Sequence, residues 1–351
     1  MEFKEYLIEH LKKHPSMMPR DVAKLCYQAA MGAEHLLLDP IRAKKYFDAE
    51  FESVEPKSGE LFECLSDDVC RVDLGVWKLE GMPSEWLFNM FLETATVKHG
   101  GRELLEANLS FVEDVIGEQE TCFSKEEWRE FLKEYREIGM PAIHHSEKYR
   151  QSERPAYRIV DRSFLRCIPI LRAASKLNAA EAGRARVIAI DGRAGSGKTT
   201  VSERLSRVLK AETVRIDDFF LPPKLRTPER LAEVGGNVHY ERILSEIIPF
   251  VDKRKAFSYG AFDCEKMEIS HKIEIGESEW RIVEGSYSHH PKLGDYAEIK
   301  VFCRVDTDEQ MKRITERDGE KWAEIFRERW IPMEEKYFLE CKIREKSDVF
   351  V

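Results

Sequence analysis

The chain has 351 residues, 42% of them hydrophobic, and a formal net charge of −9, so it is long enough for two domains and apolar enough to build their cores. The acidic balance argues against a nucleic-acid partner, because phosphate backbones are held by an excess of Lys and Arg. The start, MEFKEYLIEHLKKH, is amphipathic and charged with no apolar signal core, and a soluble, cytoplasmic chain without membrane contact is expected.

From Met1 to Leu177 apolar residues recur at helical spacing: Phe3, Leu7 and Leu11; Val22, Leu25 and Ala29; Trp86, Met90 and Val97; Trp128, Leu132 and Tyr135; Leu165, Ile168 and Leu171. Period-two alternation is absent, so residues 1–177 are predicted to form a separate, mostly α-helical domain. Several polar residues stand inside its apolar or turn-like stretches. They are Glu34 and His35 in GAEHLLL, Arg71 and Asp73 in CRVDLG, His144 to Arg150 in HHSEKYR, and Tyr157 and Arg158 in RPAYRIV. Brought together they would bind an anion or do acid–base work, and kept apart they are core histidines and solvated charges. The HH-x-E spacing lacks a third ligand for a metal. Eight cysteines are scattered without a CxxC pair, the pattern of reduced, mostly buried thiols.

The small, polar SKLNAAEAGRAR (Ser175 to Arg186) reads as a helix end plus linker. A second domain, α/β with a parallel sheet, is therefore expected over 178–351. Its candidate strands are RVIAI (Arg186 to Ile190), ETVRI (Glu212 to Ile216), WRIVEG (Trp280 to Gly285) and IKVFCRV (Ile299 to Val305), separated by helical or looped stretches.

After the first of these strands comes GRAGSGKT, which fills the spacing G-x-x-x-x-G-K-[ST] with Gly192, Gly197, Lys198 and Thr199. Downstream, Val201, Leu205, Val208 and Leu209 keep helical spacing, so strand, loop and helix come in the order of a phosphate-cradling P-loop. The nucleotide-binding residues expected are Gly192, Ala194, Gly195, Ser196, Gly197, Lys198, Thr199 and Thr200. Lys198 is placed on the β- and γ-phosphates of ATP and the Thr199 hydroxyl on Mg²⁺. Phosphoryl transfer also asks for a carboxylate that orients the attacking hydroxyl. Asp217 and Asp218 follow directly on a candidate strand, where open α/β sheets bind ligands.

The succession GRAGSGKT, DDFF, VEGSY and RITERD resembles the uridine kinase, phosphoribulokinase and pantothenate kinase branch of P-loop kinases, and within it the uridine-kinase-like members. The resemblance runs from about Arg186 to the C-terminus. It implies that Asp217 is the general base, with Asp218 in the slot before Phe219, and that Glu284 helps to hold Mg²⁺. It implies that Arg313 and Arg317, four residues apart on one helical face, are lid arginines over the phosphates. It further makes Asp218, Phe219, His239, Tyr240, Tyr259, Phe262 and Asp263 candidates for gripping an acceptor, although His239-Tyr240-Glu241 departs from the family's His-Pro-Asp run. His289 and His290 read as a solvated loop. The function implied is an ATP- and Mg²⁺-dependent kinase for a nucleoside-like small molecule, uridine being the first guess. The rival reading is an ATP-hydrolysing switch that controls binding by the helical half. The partners expected are the small-molecule acceptor and, in an assembly, further copies of the chain.

Overall fold

The chain does not divide at the polar stretch 175–186. In the computed structural model, which describes residues 3–33, 39–97, 99–118 and 121–351, the two compact units are Met1–Phe164 and Leu165–Val351. The predicted boundary at 177/178 is therefore corrected to 164/165. The physical reason is the helix Ile168–Ala174, which buries Ile168, Ile170, Leu171 and Ala174 against the sheet of the second unit. Glu34 and His35 lie outside the described residues. No helix among the described residues is long and apolar enough to cross a membrane. All eight cysteines are free, but only Cys26, Cys70, Cys167 and Cys303 are buried, while Cys122 and Cys264 are exposed.

The first unit is mostly helical, as predicted, and its longer helices include Phe3–Lys13, Pro19–Met31, Ser84–Thr96 and Arg102–Glu118. Local signals start several of these helices. Asp39 accepts from the backbone N–H of Ile41 and Arg42 ahead of the helix Pro40–Ser53, and Ser124 with Glu127 forms a capping box ahead of Lys125–Glu137, contacts of about 1 kcal/mol each. The unit also holds a three-stranded antiparallel sheet that periodicity did not reveal: β1 (Phe62–Cys64), β2 (Val69–Asp73) and β3 (Tyr157–Asp161), in that order. Glu63 pairs across with Arg71, and Arg71 with Ile159. β2 is buried on both faces through Val72, which erases the alternation that betrays a half-buried strand.

The second unit is built on β4 (Arg186–Gly192), β5 (Glu212–Arg215), β6 (Phe257–Asp263), β7 (Glu268–Ile275), β8 (Trp280–Glu284), β9 (Ile299–Cys303) and β10 (Val349–Phe350). Five of these form one sheet in the order β10-β9-β4-β8-β5, every pair parallel. The four strands read from the sequence are all in it, joined at one edge by the short β10. β6 and β7 make a separate antiparallel hairpin. Val187, Val214, Val283 and Phe302 from the sheet share a core with Phe219, Tyr240, Ile243, Tyr259 and Tyr337. Because β4 is central and ends at Gly192, the loop that follows emerges at the carboxyl edge between β8 and β9, the place where a doubly wound sheet holds its ligand.

Candidate active site

The phosphate loop starts from a strand buried from Val187 through Gly192. Gly192 has φ 140 and Gly197 φ 82, backbone forms that favour glycine. At Gly192 a Cβ would also run into the backbone oxygen of Cys303 on β9. The helix Lys198–Leu209 follows immediately, with Gly197 as its left-handed cap, so its first N–H groups face the loop.

Side chains from outside the loop hold its carbonyls. Gln310 Nε2 donates to Ala194 O (2.9 Å), Arg313 to Gly195 O (3.3 Å) and Arg166 to Ser196 O (3.0 Å). No peptide here is cis, so pulling those carbonyls one way turns the N–H groups of Gly195 and Gly197 the other way, as an anion-binding nest requires. Lys198 Nζ spans the loop, donating to Gly192 O at 2.8 Å and Arg193 O at 3.1 Å. Ser196 Oγ is buried with no hydrogen-bond partner among the described residues. Ala194 N is taken by Glu334 Oε2 (2.9 Å), a buried carboxylate that also accepts from Ser286 (2.6 Å).

Thr199 and Glu284 meet at the end of β8. The Thr199 hydroxyl donates to Glu284 Oε1 over 3.4 Å. Burial, with the charge of Asp217, pushes the Glu284 carboxyl up to about 7 against the pull of Lys198 and Arg215. A buried acid beside a threonine hydroxyl and a loop built for anions is a donor set that suits a hard divalent cation.

The two aspartates after β5 are differently employed. Asp218 Oδ2 accepts from the Tyr259 hydroxyl (2.8 Å), and Tyr259 is itself buried against Phe219, ring centroids 5.1 Å apart. Asp217 is exposed, yet closely surrounded by protein atoms. That crowding raises its carboxyl above the ordinary range, with Asp218 adding to the shift and Lys198, Arg215 and Arg317 opposing it. Lys198, Thr199, Asp217, Glu284 and Arg317 thus share one electrostatic neighbourhood. Arg313 reaches the loop itself, while Arg317 also grips Asp318 at 2.7 Å. Thr200 is exposed in the first helical turn.

The acceptor candidates divide. Phe219 and Tyr259 are core residues behind Asp218, and Phe262 is buried in β6. The Tyr240 hydroxyl is spent on Val234 O (2.9 Å) and its ring lies buried against His290, so this tyrosine belongs to the core and not to an open acceptor face. His239 bonds Glu241 at the start of the helix Tyr240–Glu246. Asp263 caps the β6–β7 turn, accepting from Glu265 N and Lys266 N at 2.9 and 3.0 Å. That turn comes near the centre: the charge of Asp217, with that of Asp263, helps burial to raise the Cys264 thiol. The expected solvated loop at His289 and His290 is corrected. Burial lowers both imidazoles, His290 to about 4, and each ring faces a backbone carbonyl, of Ala189 and Val234 respectively.

Sequence reasoning missed Asp191, Arg166, Gln310 and Glu334. Asp191 is fully buried and accepts from Gly192 N (2.7 Å), Tyr287 N (3.3 Å), His289 N (3.1 Å) and the Tyr337 hydroxyl (2.7 Å). It ties the root of the phosphate loop to the segment following Glu284. An acid closing an apolar strand directly before a P-loop glycine was the available signal; the other three carry none.

The fold and the loop define a P-loop nucleotide-binding α/β unit preceded by a mostly helical one. No family model matches the chain. It is 25% identical over 142 residues to a cytidylate kinase of Pyrobaculum neutrophilum, a match that takes in 40% of this chain and 66% of that protein; the chain thus spans just under two thirds of the curated relative's length. Among solved structures it is similar to that of a possible uridine kinase from Bacillus stearothermophilus, with 18% identity, TM-score 0.40, and coverage of 53% of this chain and 98% of that one. It is also similar to D-glycerate 3-kinase from Cryptococcus neoformans, with 15% identity, TM-score 0.35, and coverage of 49% and 85%. These kinase structures match about half of the chain.

Proposed function

We propose that residues 165–351 act as an ATP- and Mg²⁺-dependent kinase that phosphorylates a hydroxyl of a nucleoside-like small molecule, uridine being the first candidate. The observation that carries this reading is the division of labour between neighbouring acids: Tyr259 occupies Asp218, while Asp217 is exposed within the electrostatic reach of Lys198 and Arg317. A switch that only hydrolyses ATP has no need of an open carboxylate and lid arginines together. The likeness to a cytidylate kinase supports a phosphotransferase.

The residues present fit the nucleotide: a glycine cradle with outward-held carbonyls, the partnerless Ser196 Oγ, and the Thr199–Glu284 pair. When bound, Mg²⁺-ATP supplies the transferable phosphoryl group and a divalent charge that neutralises it. Lys198 would exchange its two loop carbonyls for phosphate oxygens. Thr199 and Glu284 would hold the metal or its waters, which requires Glu284 to lose its proton. Asp217 would take the proton of the acceptor hydroxyl. Arg313 and Arg317 would offset the negative charge that spreads over the phosphoryl oxygens in the transition state.

The test is to incubate the full chain with Mg²⁺-ATP and a panel of nucleosides, sugars and pantothenate, and to follow phosphorylated product by mass spectrometry beside Asp217→Asn. One acceptor should gain a phosphate, and the variant should lose that activity while still binding ATP. ATP turnover without any modified acceptor, equal in the variant, would overturn the kinase reading in favour of the switch.

A further inference from the structure

Two cysteines of the first unit face each other across the small sheet, and nothing in the proposed kinase reaction employs them. Cys64 ends β1 and Cys70 is the second residue of β2. The register pairs Phe62 with Val72, Glu63 with Arg71 and Cys64 with Cys70, so the two thiols stand directly opposite one another. They share the face away from Glu63 and Arg71, because successive side chains of a strand alternate.

The ladder fixes how close they come. Asp73 N donates to Leu61 O (2.9 Å) and Leu65 N to Val69 O (3.0 Å), which makes the pairs at both ends of the hairpin hydrogen-bonded ones. By alternation Cys64 and Cys70 form a non-hydrogen-bonded pair, in which the Cα atoms are about 4.5 Å apart and the side chains come closer. A disulfide spans Cα separations of roughly 4.4–6.8 Å, so the backbone here accepts that bond without moving. The two sulfurs lie 2.6 Å apart as free thiols.

The pair is asymmetric in access. Cys70 is buried, and burial together with the neighbouring Cys64 raises its thiol, so it presents little thiolate. Cys64 is half-buried and lines a cavity of about 410 Å³. The charged residues around that cavity are Glu9, Glu60, Glu63 and Asp67 against Lys13 and Arg162, an acidic balance that disfavours an anionic oxidant and favours a small uncharged one.

We propose that Cys64 and Cys70 are a hydroperoxide-sensitive dithiol, which closes reversibly to a cross-strand disulfide and fastens the edge strand β1 to β2. The site is independent of the kinase reading. In the first step the Cys64 thiolate attacks a peroxide oxygen; the O–O bond breaks, the hydroxide released takes up the proton that the thiol gave off, and Cys64 becomes a sulfenic acid. In the second the Cys70 sulfur attacks the Cys64 sulfur; the S–S bond forms, the S–O bond breaks, and the Cys70 proton leaves with the hydroxide as water. Two thiols are thereby oxidised to one disulfide while hydrogen peroxide is reduced to two waters. The second step needs no encounter, since the partner is already in place. The exposed Cys122 meets Met17 O and Met18 Sδ instead of a second thiol, so it serves as the internal control.

The full chain is treated with hydrogen peroxide, at a concentration that oxidises Cys122, in the presence of dimedone to trap sulfenic acids. It is then alkylated, digested with trypsin and mapped by mass spectrometry, in wild type, Cys70→Ser and Cys64→Ser. Cleavage after Lys57 and Arg71 puts both cysteines, and no others, in the peptide Ser58 to Arg71. The result expected in wild type is that this peptide loses two hydrogens and escapes alkylation, that dimedone appears on Cys122, and that dithiothreitol restores both thiols of the peptide. Cys70→Ser should carry at least tenfold more dimedone on Cys64 than wild type, and Cys64→Ser should leave Cys70 a free thiol. A wild-type peptide alkylated at both cysteines while Cys122 is oxidised, or dimedone on Cys64 in wild type to the same extent as in Cys70→Ser, would overturn the proposal. The wild-type map reads the site even if a variant fails to fold.

Discussion

Replacing Glu284 by Gln tests the electrostatics of the phosphate-loop centre before any acceptor is known. In the folded chain the Glu284 carboxyl keeps its proton until about 7, against an ordinary value of 4.5. Between those values the folded state binds a proton that the unfolded state has released, so the contribution of this group to stability is complete below 4.5 and is lost as pH rises through 7. With each pH unit corresponding to about 1.4 kcal/mol, the full loss is about 3 kcal/mol, of which about 2.5 kcal/mol falls between pH 5 and pH 8. Glutamine does not titrate. The difference in unfolding free energy, wild type minus Glu284→Gln, should therefore fall by that amount across the interval, in urea melts of the nucleotide-free protein followed by circular dichroism. Groups that do not interact with Glu284 titrate equally in both proteins and cancel, while Asp217, whose charge raises Glu284, shares in the difference. Adding Mg²⁺ and ATP should reverse the trend in wild type alone, since a cation-binding carboxylate must be ionised. Parallel pH profiles for the two proteins would refute the reasoning, because Glu284 would then be ionised in the fold and in no electrostatic conflict with Asp217.

Three further substitutions follow from the same geometry. Asp217→Asn should lower kcat about 10²- to 10⁴-fold, the range for a general base, while Asp218→Asn, whose amide oxygen still accepts from Tyr259, should lower it about tenfold or less; steady-state kinetics with the acceptor found in the panel gives the ratio, and a larger effect at Asp218 would reverse the two roles. Arg166→Ala removes a charged donor from Ser196 O, worth about 1.5–3 kcal/mol, and should weaken ATP binding about tenfold or more by calorimetry while leaving the acceptor KM alone. Gly192→Ala drives a methyl group into the backbone of Cys303 and should cost roughly 2 kcal/mol or more in thermal unfolding, a smaller loss showing that β9 can yield.

Most of the second unit was legible because its chemistry is local in sequence. A glycine with φ 140, a lysine and a threonine must stand within eight residues to make the loop, and RVIAI, WRIVEG and IKVFCRV are apolar runs with no reading as exposed elements. What could not be read depends on distant partners. Asp191 looks like any strand-terminal acid until Tyr287, His289 and Tyr337 are brought to it. Tyr240 looks like a ligand aromatic until its hydroxyl is seen on Val234 O. The polar run 175–186 marked a loop inside a unit, because the helix Ile168–Ala174 ahead of it had an apolar face to bury and the nearest surface was the sheet.

In the first unit the failure has a more definite cause. Periodicity detects an element by the contrast between a wet polar face and a dry apolar one. At β2 the contrast vanishes because Arg71 is as dry as Val72; on the helix Pro19–Met31 Asp21 and Gln28 are buried along with Val22 and Leu25. Two elements thus turn polar residues inward at the same place, and each does so at a cost that an apolar substitute would avoid. Local pattern and global fold disagree where something other than stability sets the residue. That disagreement falls on Asp21, Gln28 and Arg71, which all belong to the hydrogen-bond network around Tyr157 and His145, so the segment of the sheet least readable from sequence is the one whose polar residues find their partners on other elements.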